Sequence, residues 1–220
     1  MPKPNESVTV DQIVGWDKGE YYGRCEIEKL FGGSPQLTGA DIVDLNIPVC
    51  DKLWALMRRP FFTRAGTLML ACKFLADGLA NVPRSRKVAT ALQAMFDHAR
   101  GRLNAAKFRA AAKPLEAIKP YNVTDINVFW IARTILNACE KQSAAHVAQM
   151  AVSTALRAAA DHAERRKARA CGPAERLRAS AKVRKAQAAF VTNVLMGDIS
   201  ATAATMAALA TRKAKSAKAA

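Results

Sequence analysis

Alanine limits how this chain can fold more than any other feature of its sequence. It provides 45 of the 220 residues and is dense between Ser143 and Leu195. Alanine is the best helix-forming residue because it loses no side-chain entropy in a helix. Aromatic residues make up only 6% of the chain, and alternating runs of β-branched residues are no longer than a few positions. The sequence therefore predicts an all-α fold whose core is built by close approach of helices.

Breaks at glycine and proline divide the chain into predicted helices. Cys171-Gly172-Pro173 separates two long alanine-rich helices, 143–170 and 174–196. The loops are short, which is typical of a multi-helix bundle or a short stack of antiparallel helices. Shorter helices are predicted at 10–14, 22–31, 39–45, 46–59, 63–79, 85–103, 105–119, 124–137 and 200–211, with Thr9, Thr38, Ser85 and Thr124 as caps for four of them.

Two of these helices carry specific expectations about burial. The segment 63–79 is the most apolar and is predicted to be central to the core. In the segment 124–137, we expect the large apolar side chains to be buried. These are Ile126, Phe129, Trp130 and Leu136.

Charge suggests three regions. Residues 1–50 carry four Lys/Arg against eight Asp/Glu, and residues 51–220 carry thirty against ten, which gives the net charge of +16. We predict an acidic N-terminal helical segment or cap at 1–45, with residues 1–8 disordered. The main helical domain is predicted at 46–211, and a basic disordered tail at 212–220.

The densest positive charge falls at the corner between the two long helices. It could bind nucleic acid or an acidic protein, or it could be a solvated surface. No aromatic residue lies within this run to stack on bases. The candidate partner-binding residues, called the basic corner below, are Arg165, Arg166, Lys167, Arg169, Arg176, Arg178, Lys182, Arg184 and Lys185.

Signatures of catalysis and of metal or cofactor binding are not found in the sequence. His98, His146 and His162 do not show the i, i+4 spacing of a helical metal site. Gly32-Gly33-Ser34 lacks the strand and the lysine that a phosphate loop requires, so it is predicted to be a turn. We expect a protein that is not an enzyme, with no catalytic, cofactor-binding or metal-binding residues.

The three tryptophans are interpreted as packing anchors. Trp54 and Trp130 lie within predicted helices, where aromatic side chains usually pack. Trp16 lies near the polar N-terminal segment, so it is the most suitable of the three for contact with a ligand.

The cysteines and the hydropathy indicate the compartment. The five cysteines form no CxxC pair, and apolar runs do not approach 18 residues. With no signal peptide, this pattern is typical of a cytoplasmic protein with reduced thiols and no membrane partner.

Several segments together resemble a family of alanine-rich, all-helical bacterial and phage proteins, the immunity-protein-like family. The similarity covers about two thirds of the chain and rests on CEIEKLFGG (25–33), on the helices within 47–82 and 83–112, and on the late helices 143–170 and 174–190. The resemblance implies no catalytic residues. It implies inhibition by binding, either of a toxin or, in a phage, of a host defence enzyme.

From these observations we expect a non-enzymatic protein-binding inhibitor of immunity or phage anti-defence (anti-CRISPR-like) type. Its partner would be a protein or ribonucleoprotein, and an acidic surface would suit the positive charge. The alternative is a basic helical nucleic-acid-binding protein. The partner's identity, the oligomeric state and the docking of residues 1–45 stay open at this stage.

Overall fold

A computed structural model describes residues 6–17, 22–58, 60–83, 85–121, 125–140 and 143–166, together with 174, 177, 178, 181–183, 185–187 and 189. Helices dominate these ranges and confirm the all-α class. The elements are β1 (Ser7–Val8), α1 (Val10–Asp17), α2 (Arg24–Phe31), β2 (Leu37–Thr38), α3 (Gly39–Asp44), α4 (Val49–Leu56), α5 (Arg64–Leu79), α6 (Arg86–Ala99), α7 (Ala105–Ala112), a 3-10 helix (Lys113–Ala117), α8 (Ile126–Cys139) and α9 (Ala144–Arg166).

A small antiparallel sheet holds the N-terminal part of the chain. Ser7 pairs with Thr38 and Val8 pairs with Leu37, and Val8 is completely buried. The expectation of disorder over 1–8 is therefore wrong for Ser7 and Val8. Two-residue strands are too short to show alternation in the sequence, and the paired residues lie 29 and 31 positions apart, so local pattern could not reveal them.

Side-chain caps begin the helices largely where the sequence placed them. Thr9, Thr38 and Ser85 cap α1, α3 and α6 as predicted. The Thr38 hydroxyl accepts a hydrogen bond from Asp41 N at 3.2 Å, and the Asp41 carboxylate accepts one from Thr38 N at 2.7 Å. This reciprocal pair satisfies two backbone donors at the start of the helix.

The start of α8 differs from the sequence expectation. Its cap is Asp125, whose carboxylate accepts a hydrogen bond from Asn127 N at 2.9 Å. Thr124, the predicted cap, lies outside the described residues.

Aromatic and polar contacts join the N-terminal helices to α4 and to the residues just after it. The Trp16 and Trp54 rings meet edge to face with centroids 6.0 Å apart, and the Arg58 guanidinium lies 4.2 Å from the Trp54 centroid. The Tyr22 hydroxyl donates to Asp51 at 2.6 Å. Trp16 and Trp54 thus serve as packing anchors here, and the two parts of the chain contribute to one apolar core.

The centre of the molecule is the packing of α5 against α9, the most extensive contact between described elements. A Cβ atom built on Gly78 would lie 3.3 Å from Ala155 Cα, so the two backbones nearly touch. The residues of α9 that face inwards are small and buried: Ala144, Val147, Ala148, Ala151, Ala155 and Ala158. The predicted central position of 63–79 and the small-residue core are both confirmed.

Candidate interaction surface

Three contacts fix how α8 and α9 align. Asn127 Nδ2 donates to Asp161 Oδ2 at 2.8 Å, and the Arg157 guanidinium lies 5.3 Å from the Trp130 ring centroid. Asn137 Nδ2 lies 3.0 Å from the Met150 sulfur. Along α8 these contacts run from position 127 to 130 and 137, while along α9 they run backwards from position 161 to 157 and 150. The helices are therefore antiparallel, with one side of each meeting along a continuous seam.

This α8–α9 seam, defined by those three contacts, is polar at one end. Asn127 is 0% exposed, and its amide nitrogen donates both to Asp125 Oδ1 at 3.0 Å and to Asp161. A single buried amide thus holds two carboxylates on neighbouring helices. Because buried polar groups need partners, this arrangement ties the start of α8 to the last two turns of α9.

The outward side of α8 borders this seam at Trp130, and here the sequence expectation of burial is wrong for Ile126 and only partly met for Phe129, Trp130 and Leu136. Ile126, expected in the core, is 40% exposed, and Phe129, Trp130 and Leu136 are only half-buried. Between Asn127 and Ala138, the residues of α8 that are buried are aliphatic or polar, and none of them is aromatic: Asn127, Val128, Ile131, Ala132, Thr134, Ile135, Asn137 and Ala138. Amphipathic spacing fits either side of this helix, and the inner side is selected by its contact with α9.

Phe129 and Trp130 are half-buried and lie outside the apolar core that the described residues form. Among the described residues, the partly buried apolar side chains that pack on the core include Leu136 and Cys139 but neither of these aromatics. The Phe129 and Trp130 rings meet edge to face at 5.2 Å, and Arg157 lies over Trp130. Large aromatic side chains outside a core are enriched at binding surfaces.

Arg133 and Arg157 bring positive charge to the same place. Both are exposed. Arg133 follows Phe129 by one helical turn, so the two are neighbours on α8. Neither arginine forms an ion pair with the acidic residues that the structure describes, whereas Lys73 pairs with Asp77 and Arg24 pairs with Asp11 and Glu28. We call this set the aromatic–arginine face; it consists of Ile126, Phe129, Trp130, Arg133 and Arg157.

The basic corner is described only in part. Arg165 and Arg166 belong to the last turn of α9, but the positions of their side chains lie outside the description. Lys167, Arg169, Arg176 and Arg184 are outside the described residues, as is Cys171. The seam places the end of α9, and hence the beginning of the basic corner, at the same end of the helix pair as Ile126.

Three residues of the basic corner are exposed and helical. Arg178, Lys182 and Lys185 are spaced by four and three residues, which puts them on one side of a helix. Leu177, beside them, is 70% exposed, while Gln187 is 2% exposed. The described part of this segment thus has a basic outer side and a buried inner side.

We also searched the described residues for a catalytic histidine, a metal site and a membrane-spanning helix. The His98 ring stacks on Phe108 at 5.2 Å, and its Nδ1 lies 2.9 Å from the Leu103 carbonyl oxygen, which accounts for this histidine structurally. The residues described contain no group of three His, Cys, Asp or Glu side chains placed to hold a metal ion. None of the described helices has the length and apolar character needed to cross a membrane.

One open cavity lies between the first turns of α5 and α9. Its volume is about 270 Å³. Arg64 lies at its rim and Thr67 in its wall, but the hydroxyl of Thr67 already bonds to the Thr63 carbonyl at 3.2 Å. The wall is otherwise mainly apolar, so polar groups do not converge on a bound molecule there.

No family model, curated protein or solved structure matches this chain.

Sequence reasoning missed Arg133 and Arg157 as candidate contact residues. They stand singly in α8 and α9, 24 positions apart, and only the alignment of the two helices brings Arg157 to Trp130, beside Phe129 and Arg133 of α8. A signal was present in the sequence: two asparagines and one threonine between positions 127 and 137 mark the side of α8 that bonds to α9 or to its own backbone. The large apolar residues on the remaining side could then have been assigned to the surface.

Proposed function

We propose that this protein is a non-enzymatic binding protein that inhibits a target protein or ribonucleoprotein, of immunity or phage anti-defence type. Inhibition would result from occlusion, because a rigid helical surface can cover a functional surface of its target without chemistry. The inhibitor and anti-defence aspects rest on the sequence resemblance.

The aromatic–arginine face is the observation that best supports a protein partner. Trp, Tyr and Arg are the residues that most often dominate binding energy at protein interfaces. Here Trp130 and Arg157 already contact each other, and both lie on helices that are anchored to the core. Little ordering would be needed on binding, which favours affinity.

Affinity purification from the natural host, with and without nuclease, tests the proposal. The tagged full chain should retain a protein in stoichiometric amount after nuclease treatment. The double variant Trp130→Ala/Arg157→Ala should lose it, while Lys87→Ala, an exposed change on α6, should keep it. If no stoichiometric protein is recovered, the proposal is wrong.

A second candidate function is binding of nucleic acid through the basic corner. Arg178, Lys182 and Lys185 support it, since three cations on one side of a helix can follow a phosphate backbone. Binding should then weaken steeply as salt rises and should depend little on sequence.

Electrophoretic retardation of DNA and RNA at low salt distinguishes this second candidate. Charge reversal of Arg178, Lys182 and Lys185 to Glu should abolish retardation if the basic corner is the site. Absence of retardation by the unmodified protein at low salt would exclude the candidate.

A further inference from the structure

We infer that the aromatic–arginine face binds an acidic amphipathic helix of its partner protein, with apolar side chains on Phe129 and Trp130 and carboxylates on Arg133 and Arg157. This inference rests on the proposed function and names the chemistry of the partner at that surface.

The preference for carboxylates follows from how Arg157 is held. Its guanidinium carbon lies 5.3 Å from the Trp130 ring centroid, a cation–π contact that positions the charge beside the ring. The N–H donors at the edges stay available, and they match the two oxygens of a carboxylate. No described acidic residue forms an ion pair with this arginine, and none does so with Arg133.

The apolar part of the face sets the shape of the partner. Ile126, Phe129 and Arg133 are spaced by three and four residues, so they form one line along α8. Arg157 lies beside this line, next to Trp130. A helix laid along α8 can present apolar residues at i and i+3 or i+4, with carboxylates flanking them on the sides that face Arg133 and Arg157.

The same residues suit nucleic acid less well. Base stacking requires a free aromatic face, but Arg157 covers one face of Trp130 and Phe129 meets it edge to face. Two arginines beside apolar side chains also make a short patch, whereas a phosphate backbone is usually followed by a longer series of cations. The observations therefore favour a protein helix.

Binding of designed peptides to the full-length protein tests the inference. Two fluorescent helical peptides share leucines at i, i+3, i+4 and i+7 and differ only in flanking positions, Glu in one and Gln in the other. A labelled single-stranded oligothymidine is the third probe. Fluorescence anisotropy near physiological salt should show the Glu peptide binding at least about tenfold more tightly than the Gln peptide. The reason is that the neutral Gln side chains cannot form charge-assisted hydrogen bonds with Arg133 and Arg157.

Variants locate the site. Arg133→Glu/Arg157→Glu should weaken binding of the Glu peptide at least about tenfold. Lys87→Glu makes the same charge change per residue at an exposed position of α6 and should change binding less than about threefold. Circular dichroism verifies that each variant is folded. Equal binding of the Glu and Gln peptides would overturn the inference, as would tighter binding of the oligothymidine that depends on Arg133 and Arg157.

Failure of this inference is distinguishable from failure of the proposed function. If the host protein is recovered equally by the unmodified chain and by Arg133→Glu/Arg157→Glu, the inhibitor proposal stands and the aromatic–arginine face is not its site. If no host protein is recovered, the inhibitor proposal fails whatever the peptides show.

Discussion

Gly78 of α5 and Ala155 of α9 are in near backbone contact: a methyl group on Gly78 would lie 3.3 Å from Ala155 Cα. That space is already filled to the density of a protein interior. The approach is possible only because one helix lacks a side chain at the contact and the other has the smallest.

A larger side chain at Gly78 should therefore destabilise the fold. We expect Gly78→Val to lower the free energy of unfolding by about 1–3 kcal/mol, which is the usual cost of overpacking a core. Urea denaturation of the variant and of the unmodified chain measures this difference. Gly15→Ala is the control, because a Cβ there meets nothing within 4 Å and a helical alanine is favoured over glycine by up to about 1 kcal/mol. Equal effects at both positions would contradict close α5–α9 packing.

A third carboxylate at the α8–α9 seam should destabilise it strongly. Asn127 donates to Asp125 and Asp161, so Asn127→Asp replaces a buried donor with a negative charge between two others. We expect a loss of about 3 kcal/mol or more at neutral pH, measured by chemical denaturation.

The pH dependence of that loss identifies its cause. Burial and neighbouring negative charge favour the protonated form of the introduced carboxyl, so part of the stability should return as the pH falls toward about 4. Asn127→Ala removes the same hydrogen bonds without adding charge and should show no such recovery relative to the unmodified chain. Parallel pH profiles for the two variants would argue against a charge effect.

The cap of α3 should be visible in the titration of Asp41. Hydrogen bonds from the Thr38 hydroxyl and backbone N–H hold the pKa of the Asp41 carboxyl below its usual value. Such a group stabilises the fold at pH values above its unfolded pKa, and the contribution is lost as the pH falls through the lowered pKa.

Replacing the hydroxyl tests this assignment. In Thr38→Val the pKa of Asp41 should rise toward its usual value, while Thr38→Ser should retain most of the lowering. Carbon-detected NMR titration of the carboxyl measures both. An Asp41 pKa that is unchanged in Thr38→Val would contradict the role of the hydroxyl.

Cysteine reactivity should follow burial. Cys25 is exposed and Cys72 is buried. Burial raises the pKa of the Cys72 thiol far above its usual range, and burial, countered by Arg109, raises the pKa of Cys139 to about 11. At pH 8 roughly one Cys139 side chain in a thousand is a thiolate.

Alkylation followed by mass spectrometry of each cysteine peptide measures the order. Of these three cysteines, we expect Cys25 to react first in the native protein, Cys139 much later and with a rate that rises about tenfold per pH unit below 11, and Cys72 only after unfolding. Rapid alkylation of Cys72 in the native state would show that α5 is not central.

Local chemistry explains what the sequence predicted correctly. Caps such as Thr38 and Ser85 act within three residues, and the apolar face of 63–79 is long enough to dominate its own packing. The alanine content likewise predicted close helix contacts such as Gly78 to Ala155. Each of these depends on neighbours in sequence or on composition, which a single sequence displays directly.

Long-range selection explains what the sequence did not predict. The two-residue strands β1 and β2 exist only because distant segments meet. The 126–139 helix offers two plausible inner sides, and the hydrogen bond of Asn127 to Asp161 on another helix favours the less apolar one. The aromatic–arginine face was missed for the same reason, because the spacing along the helix predicts burial for Ile126, Phe129 and Trp130.

The α8–α9 seam has a consequence for the uniqueness of the native state. An alanine-rich helix can slide along its neighbour by a turn and still bury similar apolar area, so hydrophobicity alone would accept several alignments. A shift by one residue would separate Asn127 from Asp161, Trp130 from Arg157 and Asn137 from Met150 at the same time. These few polar contacts can thus select a single alignment for a helix whose alanines would tolerate many.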